Sequence, residues 1–219
     1  MKKFLFAIAA LCMAHTASAQ ILDFEGMPPY KLGITAGINV SSFSAAGYDY
    51  AAGVQAGFDL MIDASDIFEN THLRTQLKYS MKGAKGPDIR IVDENSNSTE
   101  TSYSTYNVYF TTHYIEIPVH AGYSWRLDDD WTIVADTGPY FAVGLGGFGR
   151  EEGKAFPKHL SFFKKYGAHR FDFGWGVQAG LLFSQELMLN VSYDWGFKNI
   201  TPEFLQNTNF AVGLTYFIE

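Results

Sequence analysis

The sequence predicts an all-β fold: an eight-stranded antiparallel up-and-down β-barrel that spans a membrane. Eight segments alternate apolar with small or polar residues at period two, the pattern of a strand with two unlike faces. The apolar faces carry aromatic residues near their ends, whereas the other faces carry mainly Gly, Ser, Asn, Asp and Lys and could not form the core of a β-sandwich. Segments of about ten residues also match a strand tilted across roughly 25 Å of hydrocarbon.

Composition narrows the alternatives. The chain has 219 residues, 47% of them apolar and 18% charged, which suits one domain. No interior apolar run reaches the roughly 18 residues that a membrane helix needs. Because the formal net charge is -7, nucleic acid is not expected as a partner. Since no water in a bilayer could satisfy an open sheet edge, the strands are expected to close into a barrel.

The first residues have the order of an export signal. Lys2 and Lys3 are followed by an apolar stretch over 4–13 and by the small residues of 17–19. We therefore predict a signal peptide over 1–19 and a barrel domain over 20–219. The only cysteine, Cys12, lies in the leader, so no disulfide is expected in the exported chain.

The first three segments cover 32–41, 53–62 and 73–80. In the first, the apolar face consists of Leu32, Ile34, Ala36, Ile38 and Val40. The third segment places Arg74 and Lys78 on its polar face. A compact connection over 63–70 predicts that the second and third strands form a hairpin.

The remaining five segments cover 115–123, 131–141, 171–181, 187–196 and 209–218. Compact connections over 126–130 and 184–186 join them in pairs, whereas the connections over 83–103 and 147–169 are long and polar. Short turns at one end and long loops at the other are the arrangement of outer-membrane barrels. The predicted location is therefore the outer membrane of a Gram-negative cell.

Four short motifs resemble those of the PorT-type outer-membrane β-barrel domain family. They are Tyr114-Ile115-Glu116-Ile117-Pro118, Gly138-Pro139-Tyr140, Phe171-Asp172-Phe173-Gly174 and Tyr193-Asp194-Trp195-Gly196. The resemblance implies an eight-stranded Gram-negative barrel, and the secretion role of the namesake member is not carried over. The last strand also resembles the signal read by the barrel-assembly machinery, although it ends on Glu219 instead of an aromatic residue.

Inward-facing charges are the most informative candidate residues. The interior of an eight-stranded barrel is just wide enough for its own side chains, so buried charges must pair. The predicted lumen network consists of Asp59, Arg74, Lys78, Glu116, His120, Asp136, Asp172, Asp194 and Lys198. Centring the short turns pairs Arg74 with Asp59, pairs His120 with Asp136 and pairs Lys198 with Asp172. Glu116 is expected to turn to Lys78 or Arg74.

Two functions of different classes follow from this network. A His120–Asp136 pair could act in acid–base catalysis, but without a nucleophile or a substrate cavity a salt-bridged plug is favoured. No motif of a serine hydrolase, zinc protease, phosphate loop or paired-cysteine metal site occurs, so no catalytic residue, cofactor or metal is predicted. We expect a non-enzymatic barrel with a plugged lumen, serving envelope structure, docking or surface interaction. The alternative is a small outer-membrane enzyme acting on lipid A or surface peptides, which would need a rim histidine beside a serine or aspartate. A conducting pore is a weaker third option.

The connection over 147–169 is basic in an acidic protein and suggests a lipid contact. Phe156, Leu160, Phe163 and Tyr166 recur at helical spacing, which predicts a short amphipathic helix. Its aromatic face would settle at the outer leaflet while its lysines meet lipopolysaccharide phosphates; these lysines are Lys158, Lys164 and Lys165. Alternatively, the lysines pair with acids of the other long loop, at 88–100. Expected partners are outer-membrane lipid, the barrel-assembly machinery, and as further candidates lipopolysaccharide and an envelope protein complex.

Overall fold

A computed structural model of the chain describes residues 28–45, 47–92, 103–151, 160–161, 163, 168–200 and 205–218. The predicted signal peptide over 1–19 lies outside this range. Within it, no helix combines the length and the hydropathy needed to cross a membrane.

The strands follow one another along the chain as predicted. They are β1 (Tyr30–Phe43), β2 (Asp49–Asp63), β3 (Thr71–Val92), β4 (Tyr103–Arg126), β5 (Trp131–Glu151), β6 (Leu160–Ser161), β7 (Phe171–Phe183), β8 (Leu187–Gly196) and β9 (Asn207–Ile218). Each of the eight alternating segments lies on one of the eight long strands. The two-residue β6 pairs with β5, opposite Phe148 and Gly149.

All eight long strands close into one antiparallel ring. Neighbours in sequence are neighbours in space, β4 pairs with β5, β5 pairs with β7, and β1 pairs with β9 to complete the circle. The fold class predicted from the alternation, a closed eight-stranded up-and-down barrel, is confirmed.

Burial alternates in the sense that a lipid solvent requires. On β8, Met188, Asn190, Ser192 and Asp194 are buried, whereas the large apolar residues between them are exposed. The same inversion holds around the ring, where the exposed surface carries Ile, Val, Leu, Phe and Trp, and the buried polar residues include Asp, Glu, Lys and Arg. A wall with apolar groups outside and polar groups inside is stable in hydrocarbon and not in water. The alternation therefore indicates that the outer wall faces a membrane.

Three adjacent strands are longer than the sequence predicts. β3, β4 and β5 have 22, 24 and 21 residues, against 10 for β8. The predicted long loops over 83–103 and 147–169 are therefore partly strand, because β3 continues to Val92, β4 begins at Tyr103 and β5 continues to Glu151. Apolar alternation reflects contact with lipid, whereas backbone pairing continues beyond the lipid without it.

The short turns and the described ends of the chain share one end of the barrel. The turns lie between Asp63 and Thr71, between Arg126 and Trp131, and between Phe183 and Leu187, and β1 starts and β9 stops at the same end. In outer-membrane barrels the end with short turns faces the periplasm. We call this the periplasmic end and the opposite one the extracellular end.

Two of the three cross-strand registers predicted from the short turns are shifted, that between β2 and β3 and that between β4 and β5. Between β7 and β8 the register matches the prediction, with Gly174 opposite Gly196. Between β4 and β5 it is shifted by two residues, because the backbone N–H groups of Leu127 and Asp128 both donate to the carbonyl of Trp131. A shift of two residues preserves the face of every side chain but changes its cross-strand partner.

Candidate functional site in the barrel interior

The interior is layered along the barrel axis. Near the periplasmic end lies an apolar cluster of Met61, Val134, Leu182, Met188 and Phe217. Near the extracellular end a larger cluster is centred on Phe43, Phe110, Tyr114, Tyr140, Phe163 and Ile200. Buried charges occupy the wall beside and between these clusters and form two groups.

The first group is the Arg74 cluster, which consists of Arg74, Asp59, Asp136, Gln76 and His72. Arg74 Nη2 lies 2.5 Å from Asp59 Oδ2, Arg74 Nε donates to Asp59 Oδ1 at 3.0 Å, and Arg74 Nη1 donates to Asp136 Oδ2 at 3.0 Å. Gln76 Nε2 donates to Asp59 Oδ2 at 2.6 Å. The guanidinium thus binds one carboxylate through two nitrogens and a second through the third, the geometry that arginine favours.

His72 extends the Arg74 cluster toward the periplasm. Its Nε2 lies 2.5 Å from Asp136 Oδ1, and its Nδ1 lies 3.1 Å from the hydroxyl oxygen of Ser124. Gly122 is the cross-strand neighbour of both His72 and Asp136. A Cβ at Gly122 would lie 2.2 Å from Asp136 Oδ1 and 2.3 Å from His72 Nε2. The histidine and the aspartate therefore meet across a position that only glycine leaves open.

The second group is the Glu116 cluster, in which one carboxylate is held by two lysines. Lys78 Nζ lies 2.9 Å from Glu116 Oε1, and Lys82 Nζ lies 2.5 Å from Glu116 Oε2. Lys82 Nζ also lies 4.8 Å from the centroid of the Tyr140 ring. Tyr140 belongs to the extracellular apolar cluster, so this cation connects the charged layer to the aromatic layer.

Asp172 and Asp194 are held mainly by neutral donors. Asp172 Oδ2 accepts hydrogen bonds from Asn207 Nδ2 at 2.8 Å and from the Tyr140 hydroxyl at 3.3 Å. Asp194 Oδ2 accepts one from Asn209 Nδ2 at 3.2 Å. Both carboxylates are buried. Amide and phenol donors thus supply part of the solvation that water would supply outside the barrel.

The interior contains eight of the nine residues predicted for the lumen network. Arg74 contacts Asp59 although Met61 lies directly opposite it on β2. The arginine side chain is long enough to reach the residue two positions further along that strand. Glu116 meets Lys78 as one of its two expected partners.

The predicted pairing of His120 with Asp136 is wrong. Asp136 is instead held by His72 and Arg74, because the register between β4 and β5 places Gly122 opposite it. His120 Nε2 has no hydrogen-bond partner within the described part of the chain. It lies near Asp194, since both would crowd a Cβ at Gly176, at 3.0 Å and 2.6 Å respectively.

The prediction that Lys198 faces the lumen is also wrong. β8 ends at Gly196, so the cross-strand register that pairs Lys198 with Asp172 in the prediction does not extend to position 198. Lys198 Nζ lies 5.0 Å from the centroid of the exposed Phe171 ring. The predicted Lys198–Asp172 pair is therefore replaced by a cation over an aromatic ring and by donors from Asn207 and Tyr140.

His72 and Lys82 were missed at the ends of one segment. Both have the same strand parity as Arg74 and Lys78, and both lie within two residues of the segment counted as 73–80. Extending the period-two count by one step in each direction would have found them. Ser124 was missed in the same way, because it lies one residue beyond the segment counted as 115–123 and has the same strand parity as Glu116 and His120.

The predicted lipid-contact loop is corrected at Phe163. Its ring is buried, packs edge-on against Tyr114 with centroids 6.3 Å apart, and lies against Gly144, where a Cβ would sit 2.3 Å from Phe163 Cζ. The glycine thus leaves room for the ring inside the barrel, away from the lipid boundary. Leu160 lies in the extended β6. Phe156, Lys158, Lys164 and Lys165 lie outside the described residues, so their contact with lipopolysaccharide stays a prediction.

No metal centre is evident in the described ranges, because no three histidine, cysteine, aspartate or glutamate side chains there converge as ligands. The interior chemistry of these residues consists of ion pairs, hydrogen bonds and cation–aromatic contacts.

A family comparison identifies the class of barrel. The family described as the outer membrane protein beta-barrel domain matches residues 23–201. The chain belongs to this family. Its location in the outer membrane is thereby supported, whereas the narrower resemblance to the PorT-type family stays a prediction. No curated protein sequence matches the chain.

Solved structures of outer-membrane barrels are similar in fold only. The attachment invasion locus protein Ail of Yersinia pestis, solved with the heparin analogue sucrose octasulfate, has 13% identity over 86% of this chain and 99% of its own, with a TM-score of 0.42. Neisserial surface protein A has 10% identity over 84% and 96%, with a TM-score of 0.45. The N-terminal barrel of Pseudomonas aeruginosa OprF has 8% identity over 85% and 97%, with a TM-score of 0.33.

Proposed function

We propose that this outer-membrane barrel has a plugged lumen that does not conduct ions, and that it serves envelope structure, docking or surface interaction through its extracellular side. The observation that carries the proposal is the pairing of buried charges in the two clusters. Arg74, Asp59, Asp136 and Glu116 have side chains with 0% exposure, and each is bound to an opposite charge.

A conducting path would need charges that water can reach. An ion passing the Arg74 cluster would have to displace a guanidinium held by two carboxylates, and one passing the Glu116 cluster would have to displace two ammonium groups. Breaking a buried pair costs roughly 3 to 5 kcal/mol, far above thermal energy. The aromatic cluster at the extracellular end, with Phe163 packed inside, adds an apolar layer over the charges.

The extracellular side supplies the surface for interaction. β3, β4 and β5 are about twice the length of β8, so this side of the wall extends well beyond the thickness that a ten-residue strand spans. Paired strands present a surface that is more rigid than a loop of the same length. Such an extension suits contact with another protein of the envelope or with an external surface.

Planar bilayer recording tests the plugged lumen. Refolded protein that migrates faster on a denaturing gel before boiling than after it should insert without giving large, stable conductance. A known porin in the same bilayers serves as the positive control. Reproducible open channels of porin size would overturn the proposal, whatever the loops bind.

Site-specific photo-crosslinking in intact cells tests the surface role. A photoreactive residue at Ser44, exposed at the extracellular end, should capture a discrete partner, whereas one at Asp129, exposed in a periplasmic turn, should not. Capture at Asp129 alone would contradict an extracellular role and point to a periplasmic partner.

A further inference from the structure

A pocket opens at the periplasmic end of the barrel, apart from the extracellular surface discussed above. Its volume is about 480 Å³. His72 and Ser124 line it, together with the cationic side chains of Lys31 and Arg126 and the amide of Gln185. A volume of this size lies within the range of small-molecule sites.

A serine and a histidine of this pocket form a hydrogen-bonded chain with the buried Asp136. Asp136 can only accept, so the His72 Nε2–H donates to it over 2.5 Å. With that proton on Nε2, the Nδ1 lone pair is free to accept the Ser124 hydroxyl, whose oxygen lies 3.1 Å away. The order is therefore nucleophile, base and orienting carboxylate, with the two ring nitrogens in exchanged roles relative to serine proteases.

The hydrogen-bonded chain of Ser124, His72 and Asp136 is held from both sides. Arg74 donates to the second oxygen of Asp136 and fixes the carboxylate, while Gly122 provides the gap in which the imidazole and the carboxylate meet. The backbone N–H of Ser124 donates to the carbonyl of Asn70 and ties the serine to the neighbouring turn. Ser124 itself is only half-buried, so its hydroxyl is within reach of a molecule in the pocket.

We propose that Ser124, His72 and Asp136 form a nucleophilic serine site that hydrolyses carboxylic esters bearing a negative charge. Ser124 Oγ attacks the ester carbonyl carbon while its proton passes to His72 Nδ1. The bond between that carbon and the alkoxy oxygen then breaks, and the imidazolium returns the proton to the leaving alcohol. Water, deprotonated by the same nitrogen, then attacks the acyl carbon; the bond from that carbon to Ser124 Oγ breaks, the imidazolium returns the proton to Ser124 Oγ, and the acid is released. No oxidant or further reactant is needed.

The charge around the pocket selects the substrate class. Lys31 is held in place by the Gln185 side chain at 2.7 Å, and Arg126 is exposed at the same opening. These two cations favour an ester that carries a phosphate or carboxylate group. Asp136 acts as a positioning residue, since it orients His72 without touching the substrate.

The proposal goes beyond the sealed-barrel function and does not rest on it. A barrel that failed to conduct could still carry the site, and a conducting one could as well. It revises the prediction that the chain has no catalytic residue, which rested on the lack of a serine-hydrolase sequence motif. The three residues lie on β3, β4 and β5, so no local motif could join them.

Labelling with a fluorophosphonate reporter tests the nucleophile in the refolded full barrel. We expect covalent modification of Ser124, located by mass spectrometry of the labelled peptide, and no labelling of Ser124→Ala. Ser65→Ala is the matched control, because Ser65 is an exposed serine of the neighbouring turn and takes no part in the proposed step. Failure of Ser124 to label faster than Ser65 would overturn the proposal.

The base is tested with His72→Gln, which keeps a donor toward Asp136 and lacks a basic nitrogen. A general base typically contributes at least a hundredfold, so labelling should slow by about 100-fold or more while the heat-dependent gel shift is retained. An unchanged labelling rate in a folded His72→Gln barrel would rule out the relay. Should this variant fail to fold, the next measurement still decides the arrangement.

Nitrogen-15 spectroscopy of the intact parent tests the orientation imposed by Asp136. The neutral His72 ring should carry its proton on Nε2 and leave Nδ1 unprotonated, with the resonances assigned by comparison with His113→Gln, His120→Gln, His159→Gln and His169→Gln. A neutral ring protonated on Nδ1 would contradict the proposed base, whatever the stability of the variants.

Hydrolysis assays separate the two sources of an anionic ester. Phosphatidylglycerol vesicles present a lipid ester, whereas a soluble succinate monoester of p-nitrophenol presents the same chemistry without a bilayer. Turnover of either one that is lost in Ser124→Ala supports the site and names its substrate source. Turnover of neither, together with no fluorophosphonate labelling, overturns it.

Discussion

The two ion clusters of the lumen use opposite charge ratios. In the Arg74 cluster one cation holds two carboxylates, whereas in the Glu116 cluster one carboxylate holds two cations. Both are buried in the same wall, only a few residues apart along β3. The charge ratio within each cluster is therefore not the whole balance, because Asp194 also interacts electrostatically with Lys78 and Lys82, and Asp172 with Lys82.

The clusters differ in how much geometry they demand. A guanidinium is planar and presents its donors in a fixed fork, so Asp59 and Asp136 must lie at fixed positions around it. An ammonium group is a point charge on a flexible stem, so Lys78 and Lys82 can reach Glu116 in several ways. We therefore expect substitutions around Arg74 to be more damaging than those around Glu116.

Arg74→Ala should have the largest effect. It leaves Asp59 and Asp136 buried without their main partner, which is expected to lower the free energy of unfolding by about 3 to 5 kcal/mol. Urea unfolding of the refolded barrel, followed by tryptophan fluorescence, measures the change. Arg126→Ala, at an exposed arginine, should be nearly neutral, and equal losses in the two variants would contradict the importance of the fork.

Gly122→Ala tests the same cluster through its backbone. The added methyl would lie 2.2 Å from Asp136 Oδ1, and Arg74 prevents that carboxylate from moving away. We expect a loss of about 3 kcal/mol, near the upper end for overpacking. Gly146→Ala is the matched control, since an added Cβ there meets no atom within 4 Å and should be tolerated.

Lys82→Met examines the more tolerant cluster. Glu116 would keep its contact with Lys78 at 2.9 Å, so the loss should be about 2 kcal/mol, as for one hydrogen bond to a charged group. A loss as large as that of Arg74→Ala in the same urea titration would remove the proposed difference between the clusters. Lys85→Met, at a half-buried lysine over Tyr109, serves as the control.

Gln76→Leu should have the smallest effect. It removes one of the donors to Asp59 and leaves the arginine in place, so the expected loss is about 1 kcal/mol. Gln76→Glu sharpens the result because it adds a second carboxylate beside Asp59. If the glutamate variant were the more stable of the two, Asp59 would not be the charged acceptor assumed above.

The parts of the fold in contact with lipid were predictable, because lipid forces every second residue to be apolar. All eight strands follow from that rule, and so does the inward direction of Asp59, Arg74 and Glu116. Which charged side chains pair with each other was less predictable than the face of the strand to which each one points. The turn at Leu127 and Asp128 shifts the register between β4 and β5 by two residues. Asp136 therefore contacts His72 instead of the predicted His120.

Features beyond the lipid left no comparable pattern. The extensions of β3 to Val92 and of β5 to Glu151 are held by backbone pairing, which any side chain permits. Phe163 has the same apolar character whether it meets lipid or the barrel mouth, so its sequence position could not decide between them. Gly144, which makes room for the ring, was identifiable only from the structure.

The pairing of β1 with β9 also governs the order in which the barrel forms. Leu32 lies opposite Ile218, so the seam joins residues almost the whole length of the chain apart, whereas every other pairing joins strands adjacent along the chain or separated only by the two-residue β6. A contact of such long range carries a high closure entropy and forms late. Until β9 has paired with β1, the strands already paired keep two open edges. An exposed strand edge is a template for pairing with other chains, so the last pairing is also the one that ends the risk of aggregation.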